Sequence, residues 1–139
     1  MTKVVEIIRD AMGHLRVLDA NTAPDPIDVR DAIRALNLMM HSWEAEGLSF
    51  GWVDVDEPTD DMPTPEECDE AIGFNLAIRR RAAYGATLDQ DVVAMATDGK
   101  ALLRSMVTAS DWARTEYPDL PWGEGQNCYG GLIGGLSGR

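Results

Sequence analysis

A seam of large apolar residues constrains this chain more than any other feature: Val29, Ile33, Leu36, Met40 and Trp43, separated by alternating steps of four and three. An α-helix brings such positions onto one face, because its turn returns a side chain to the same side after three or four residues, whereas a strand does so after two. The ends of the seam agree. Asp25 can accept a hydrogen bond from a first-turn N–H, Pro26 stands at the first helical position, where a missing N–H costs nothing, and Gly47 supplies left-handed backbone for a stop. A one-sided seam has to be covered by other elements, so further helices are required.

Three are legible. The first runs from Thr2, as N-cap, to about Arg16, with Val4, Val5, Ile8, Ala11, Met12 and Leu15 inward and Gly13 weakening its last turn. The third opens on Thr64-Pro65-Glu66-Glu67, a capping box with Thr64 at the N-cap and Pro65 at the first helical position. Its apolar face is Ile72, Leu76 and Ala83 with Ala71, Ile78 and Ala82, and Gly85 closes it. A fourth opens on Thr87-Leu88-Asp89-Gln90, a second capping box, and carries Val92, Ala96, Leu103, Met106 and Val107 to Arg114. At 1.5 Å per residue it spans about 40 Å.

Between the second and third helices the period changes. Leu48 to Val55, with Phe50 and Trp52, reads as a short extended segment, half of a hairpin whose return strand is not visible. The segment from Asp54 to Glu70 contains Asp54, Asp56, Glu57, Asp60, Asp61, Glu66, Glu67, Asp69 and Glu70 with no Lys or Arg, and its first part, with Pro58 and Pro63, reads as an exposed acidic loop. The expected fold is mainly α: a small bundle of about four helices with a short β-like excursion and an extended C-terminal tail.

Residues 1–116 form the expected body, and the tail begins at Tyr117. From there to Arg139, glycine and proline are too dense for a helix, yet Tyr117, Leu120, Trp122, Tyr129, Leu132, Ile133 and Leu136 are too apolar for a flexible linker. Fully extended, the segment reaches about 75 Å. These side chains are expected to dock on a partner, with Trp122 as the anchor.

Charge excludes some functions. A net charge of −12 argues against a protein that grips DNA, since phosphate contacts need clustered Lys and Arg, but it suits an acidic wall past which a duplex slides. Arg79-Arg80-Arg81 is the exception, and it is expected to pair with a neighbouring subunit's acidic loop, at Asp60 and Asp61. No apolar run is long enough for a membrane span, and Glu6 and Asp10 interrupt any leader-like segment, so synthesis in a cytosol-like compartment is expected. Cys68 and Cys128 form no CxxC and read as free thiols. His14 and His41 have no HExxH pattern, and no metal or cofactor is called for. Trp43 with Met39 and Met40 reads as core. Carboxylate pairs could hydrolyse glycosidic bonds, but none is flanked by apolar residues that would obviously raise a pKa, so no catalytic residue is assigned.

The string Ala32-Ile33-Arg34-Ala35-Leu36-Asn37-Leu38-Met39-Met40-His41-Ser42-Trp43-Glu44-Ala45-Glu46-Gly47-Leu48 carries a family likeness. It follows a short helix ending Ala11-Met12-Gly13 and precedes an extended stretch, an acidic Pro-containing loop and two more helices. This order resembles the head-completion adaptor of short-tailed phages, also called the tail accessory factor or packaged-DNA stabilisation protein. The resemblance covers residues 1 to 115 and implies a helical subunit of a ring, commonly dodecameric, at the head-tail junction of the virion. The ring would sit below the portal protein, close the head after DNA packaging and carry the tail tube, nozzle or needle. Packaged DNA would pass through the channel without specific binding. It also implies that the C-terminal segment runs up the portal, a role that fits Tyr117 to Arg139, although this tail is unusually rich in glycine and short of charge. Other readings are a connector ring of the long-tailed-phage type, a virion-associated cell-wall hydrolase, and an acidic binding protein that mimics DNA.

Overall fold

A computed structural model describes the backbone of residues 1–114 and the side chains of residues 1–110. Four helices follow one another: α1 (Val4–His14), α2 (Pro26–Ala45), α3 (Asp69–Tyr84) and α4 (Gln90–Arg114), with a single 3-10 turn at Glu66–Cys68 ahead of α3. Residues Met1–Ala109 make one compact unit. The fold is mainly α, and among the described residues no strand forms.

α2 forms as its sequence dictates. Asp25 Oδ1 accepts from the Ile27 N–H at 3.2 Å, Pro26 opens the helix, and Gly47 takes φ 94 just beyond its end. All five seam residues are buried, joined by Ala32 and Met39. Against them lie Val4, Ile7, Ile8, Ala11 and Met12 of α1 and Ala71, Ile72, Leu76 and Ala77 of α3, one continuous core.

The termini of the other helices depart from expectation. α1 is capped at Lys3, not Thr2, and Glu6 Oε2 reaches back to accept the Lys3 N–H at 3.0 Å. The shift has a cause in the acidic loop. The Val4 and Val5 N–H groups, which no helix can satisfy internally, donate to the carbonyls of Asp60 and Pro58 at 3.0 Å each, and Met62 N–H donates to the Thr2 carbonyl at 2.9 Å. The loop is therefore fastened across the start of α1, where its carboxylates also meet the positive end of the helix dipole. At the other end Gly13 stays helical, and Arg16 takes the left-handed conformation (φ 56) after the helix stops.

At α3 the Thr64 capping box does not form. Thr64 is buried with its hydroxyl unpartnered, Pro65 precedes the 3-10 turn, and the α-helix proper starts at Asp69. Thr64 follows Met62, and burying that methionine carries the threonine inward, away from the turn it was expected to cap. The second capping box shifts as well. α4 begins at Gln90, which puts Asp89 rather than Thr87 before it, and the Asp89 carboxylate is paired with Arg16 at 2.9 Å. The buried face of α3 ends at Ala77, while Ala82 and Ala83 are exposed, alanine having too little apolar surface to demand burial.

The stretch Leu48 to Val55 is non-helical, and Asn37 of α2 takes the place of a strand partner. Its side-chain amide donates to the Val55 carbonyl at 2.9 Å, and its oxygen accepts the Val55 N–H at 3.2 Å. Glu44 accepts the Trp52 N–H at 3.1 Å. Leu48, Trp52 and Val55 turn inward and complete the core.

Candidate interaction surface

The tail residues expected to dock on a partner, Tyr117, Leu120, Trp122, Tyr129, Leu132, Ile133 and Leu136, lie outside the described residues, as does Cys128. The arginine triplet is described. Arg80 folds over Tyr84, its guanidinium carbon 5.2 Å from the ring centroid, and Arg81 Nε donates to the Ala86 carbonyl at 3.3 Å. Arg79 is exposed with no carboxylate in ion-pair range among the described residues. The expected counterparts are engaged in their own chain. Asp60 Oδ2 accepts the N–H groups of Glu57 and Asp56 at 2.9 and 3.1 Å, which hold its carboxyl below the usual range, and Asp61 pairs with Lys3 at 2.6 Å. The loop carboxylates thus shape their own turn.

The other singled-out residues are mostly structural. Trp43, 2% exposed, is core, with Lys100 of α4 lying 5.5 Å over its ring. Lys100 also meets Glu46 at 2.8 Å, the contact that chiefly lowers the Glu46 pKa. His14 stacks on Phe74 at 4.0 Å, and His41 Nε2 lies 2.7 Å from Asp54. Cys68 is fully buried, and burial pushes its thiol pKa up, which leaves it unreactive. Among the described residues no group of three His, Cys, Asp or Glu could hold a metal, and no helix is long and apolar enough to cross a membrane.

One carboxyl departs from the expectation that no acid is raised. Asp69, at the start of α3, is pushed up by burial, with the Thr2 hydroxyl partly opposing. It lines a hollow of about 400 Å³ with Asp10, His14, Glu66, Glu70 and Phe74. The burial that raises it is produced by packing of the fold, so its neighbours in sequence give no sign of the shift.

Two surfaces absent from the sequence reading stand out. The first is a groove along α2. Its upper part, about 480 Å³, lies between α1 and α2 and is floored by Val5, Pro24, Pro26, Val29 and Ile33, with Arg9 and Arg30 at its edge. Its lower part, about 350 Å³, shares Arg30, Ile33 and Asp56 and continues past Arg34 and the exposed Leu38 to His41. Arg9, Arg30 and Arg34 are exposed, and no carboxylate among the described residues is within ion-pair range of any of them. The four-residue step from Arg30 to Arg34 puts both on one helix face, a signal that was available in the sequence.

The second surface lies between α4 and the start of α3. Met95 and Leu102, seven residues apart and 43% and 55% exposed, flank Gly99 over a shallow hollow of about 210 Å³, rimmed by Glu67, Glu70 and Asp98. These three acids have no cation in ion-pair range among the described residues. The two surfaces face apart. Val5 lies on the side of α1 away from His14, which stacks on Phe74 of α3, and Arg9 stands at the boundary, lining one hollow with Val5 and another with Asp10 and His14.

A family model described as the P22 tail accessory factor matches residues 2–132. No curated protein matches the chain.

Proposed function

This chain belongs to the P22 tail accessory factor family, and from that membership we propose that it is the adaptor that closes a phage head below its portal and carries the tail. The family places it among phage virion proteins of the tail. The finer reading is a ring, commonly of twelve copies, docked on the portal protein and passing packaged DNA along an acidic channel without specific binding.

The observation that carries this reading is the extent of the match. It runs through all four helices and on to residue 132, so the family pattern includes most of the glycine-rich tail as well as the body. A pattern kept across both suits a protein whose body assembles and whose tail grips. In this reading Trp122, Tyr129 and the aliphatic residues around them lie along the portal. Arg79, the member of the arginine triplet with no partner in its own chain, meets acids of a neighbouring subunit. Of the expected counterparts, Asp60 and Asp61 are already held locally.

The test is removal of residues 117–139. The truncated chain should keep its helical circular dichroism and lose binding to the portal in a pull-down. Full-affinity binding by the truncated chain would refute the assignment of the tail.

A further inference from the structure

We propose that copies of this chain join head to tail, the acidic ridge formed by α4 and the start of α3 on one copy seating in the arginine-rimmed groove along α2 of the next. The proposal rests on the ring reading above and names the contact that builds the ring.

Three observations support it. The surfaces match in chemistry. The groove offers an apolar floor, Pro24, Pro26, Val29 and Ile33, with Arg9, Arg30 and Arg34 along its edge. The ridge offers two exposed apolar side chains, Met95 and Leu102, between Glu67, Glu70 and Asp98. An apolar centre with a charged rim is the usual anatomy of a protein interface, and opposite potentials fix its register.

The charges are also the ones the fold leaves over. The ion pairs that the N-terminus, Lys and Arg make among the described residues use other groups: the N-terminus with Glu66, Lys3 with Asp61, Arg16 with Asp89, and Lys100 and Arg104 with Glu46. In a chain with twice as many acids as bases, 24 against 12, Arg9, Arg30 and Arg34 line one edge without a carboxylate partner, as Arg79, Arg80 and Arg81 do on α3. Asp56 is the acid that intrudes on the groove, and Asp54 beside it is held by His41.

Finally, the surfaces lie on different sides of the α1–α3 pair, so one copy cannot satisfy itself. A contact between two different patches is heterologous, and repeating it generates a closed ring when the rotation closes.

The experiment is a charge exchange on the full chain, read by sedimentation velocity at low and high salt. With the portal protein present as the template, wild type should assemble, and added salt should weaken the association. Arg30→Glu with Arg34→Glu makes both surfaces acidic, and Glu67→Arg with Glu70→Arg makes both basic, so each variant alone should associate at least about 100-fold more weakly than wild type. Mixed in equal amounts, the two should assemble again in alternation, because each surface then finds its opposite. That rescue also shows that both variants are folded. If wild type assembles and either variant alone assembles equally well, or the mixture stays dissociated while both remain helical, the interface is wrong and the ring reading survives. If wild type does not assemble on the portal at any concentration or salt, both the ring reading and this interface fall.

Discussion

α2 and α4 are the two longest helices, and they hold the rest of the chain by different means. α2 buries seven residues, among them Met39, Met40 and Trp43, and its grip is the filling of space by large side chains. α4 buries Val92, Ala96 and Leu103 and leaves Val93, Met95 and Leu102 exposed. What it has instead is a close crossing. A Cβ on Gly99 would meet the Ala71 Cβ at 2.7 Å and its Cα at 3.0 Å, so the two backbones approach as near as glycine permits. Asn75 clamps the crossing by donating to the Ala71 carbonyl at 2.8 Å and to the Ala96 carbonyl at 3.0 Å. Large residues make a helix part of the core on all inward turns. Small residues fasten it at one point and leave an apolar face free for another use.

The comparison can be broken most sharply at Trp43. Trp43→Ala should cost about 3–5 kcal/mol in urea denaturation, since it empties a fully packed site. A loss under 1 kcal/mol would mean that α2 is not held by volume.

Asn37→Ala comes next. It strips the Val55 N–H and carbonyl of their side-chain partner at a partly buried position, and about 1–3 kcal/mol should be lost. Asn37→Asp is the finer probe, because the carboxylate keeps the acceptor for the Val55 N–H and loses the donor to its carbonyl. It should fall between wild type and alanine if both bonds matter.

Gly99→Ala tests α4 directly. Overpacking costs about 1–3 kcal/mol, and the better helix propensity of alanine returns about 1 kcal/mol, so the net should be destabilising. Gly13→Ala is the control. Nothing lies within 4 Å of a Cβ there, so the propensity gain should appear alone and the sign should reverse. If both substitutions stabilise, the crossing does not depend on close approach.

The smallest effect concerns pH and separates two acids of one segment. The Asp60 carboxyl is lowered by the Glu57 and Asp56 N–H groups, so its contribution is present above the ordinary carboxylate value of 3.8 and is lost as pH falls through its folded-state value. The Asp69 carboxyl is raised by burial, so the stability linked to it is present below that ordinary value and lost as pH rises through the folded-state value. Asp60→Asn should therefore lower Tm at pH 7 and matter less near pH 3. Asp69→Asn should not lower Tm at pH 7. Parallel Tm profiles for the two variants would contradict this division.

Much of the fold was legible because helix periodicity is a local property. The α2 seam, its Asp25 cap and its Gly47 stop needed only the spacing of residues along one segment. The capping boxes at Thr64 and Thr87 misled for the complementary reason. A cap is chosen among adjacent candidates by what else binds them: burial of Met62 drew Thr64 inward, and Arg16, far along the chain, took Asp89 as its partner. The candidate surfaces were less legible still. Arg30 and Arg34 are visible as a four-residue pair, but that they share an edge with Arg9 is a consequence of α1 lying beside α2.

The sequence by itself determined the helices, their order and the residues of the α2 seam, because these follow from side-chain periodicity and backbone conformational preference. The tertiary structure decided which charges were left without partners. Lys3, Arg16, Lys100 and Arg104 were neutralised by acids brought to them by folding, while Arg9, Arg30, Arg34, Glu67, Glu70 and Asp98 were not. Ion pairing acts over a few ångströms in space and has no period along the chain, so only the packed structure could sort one set from the other.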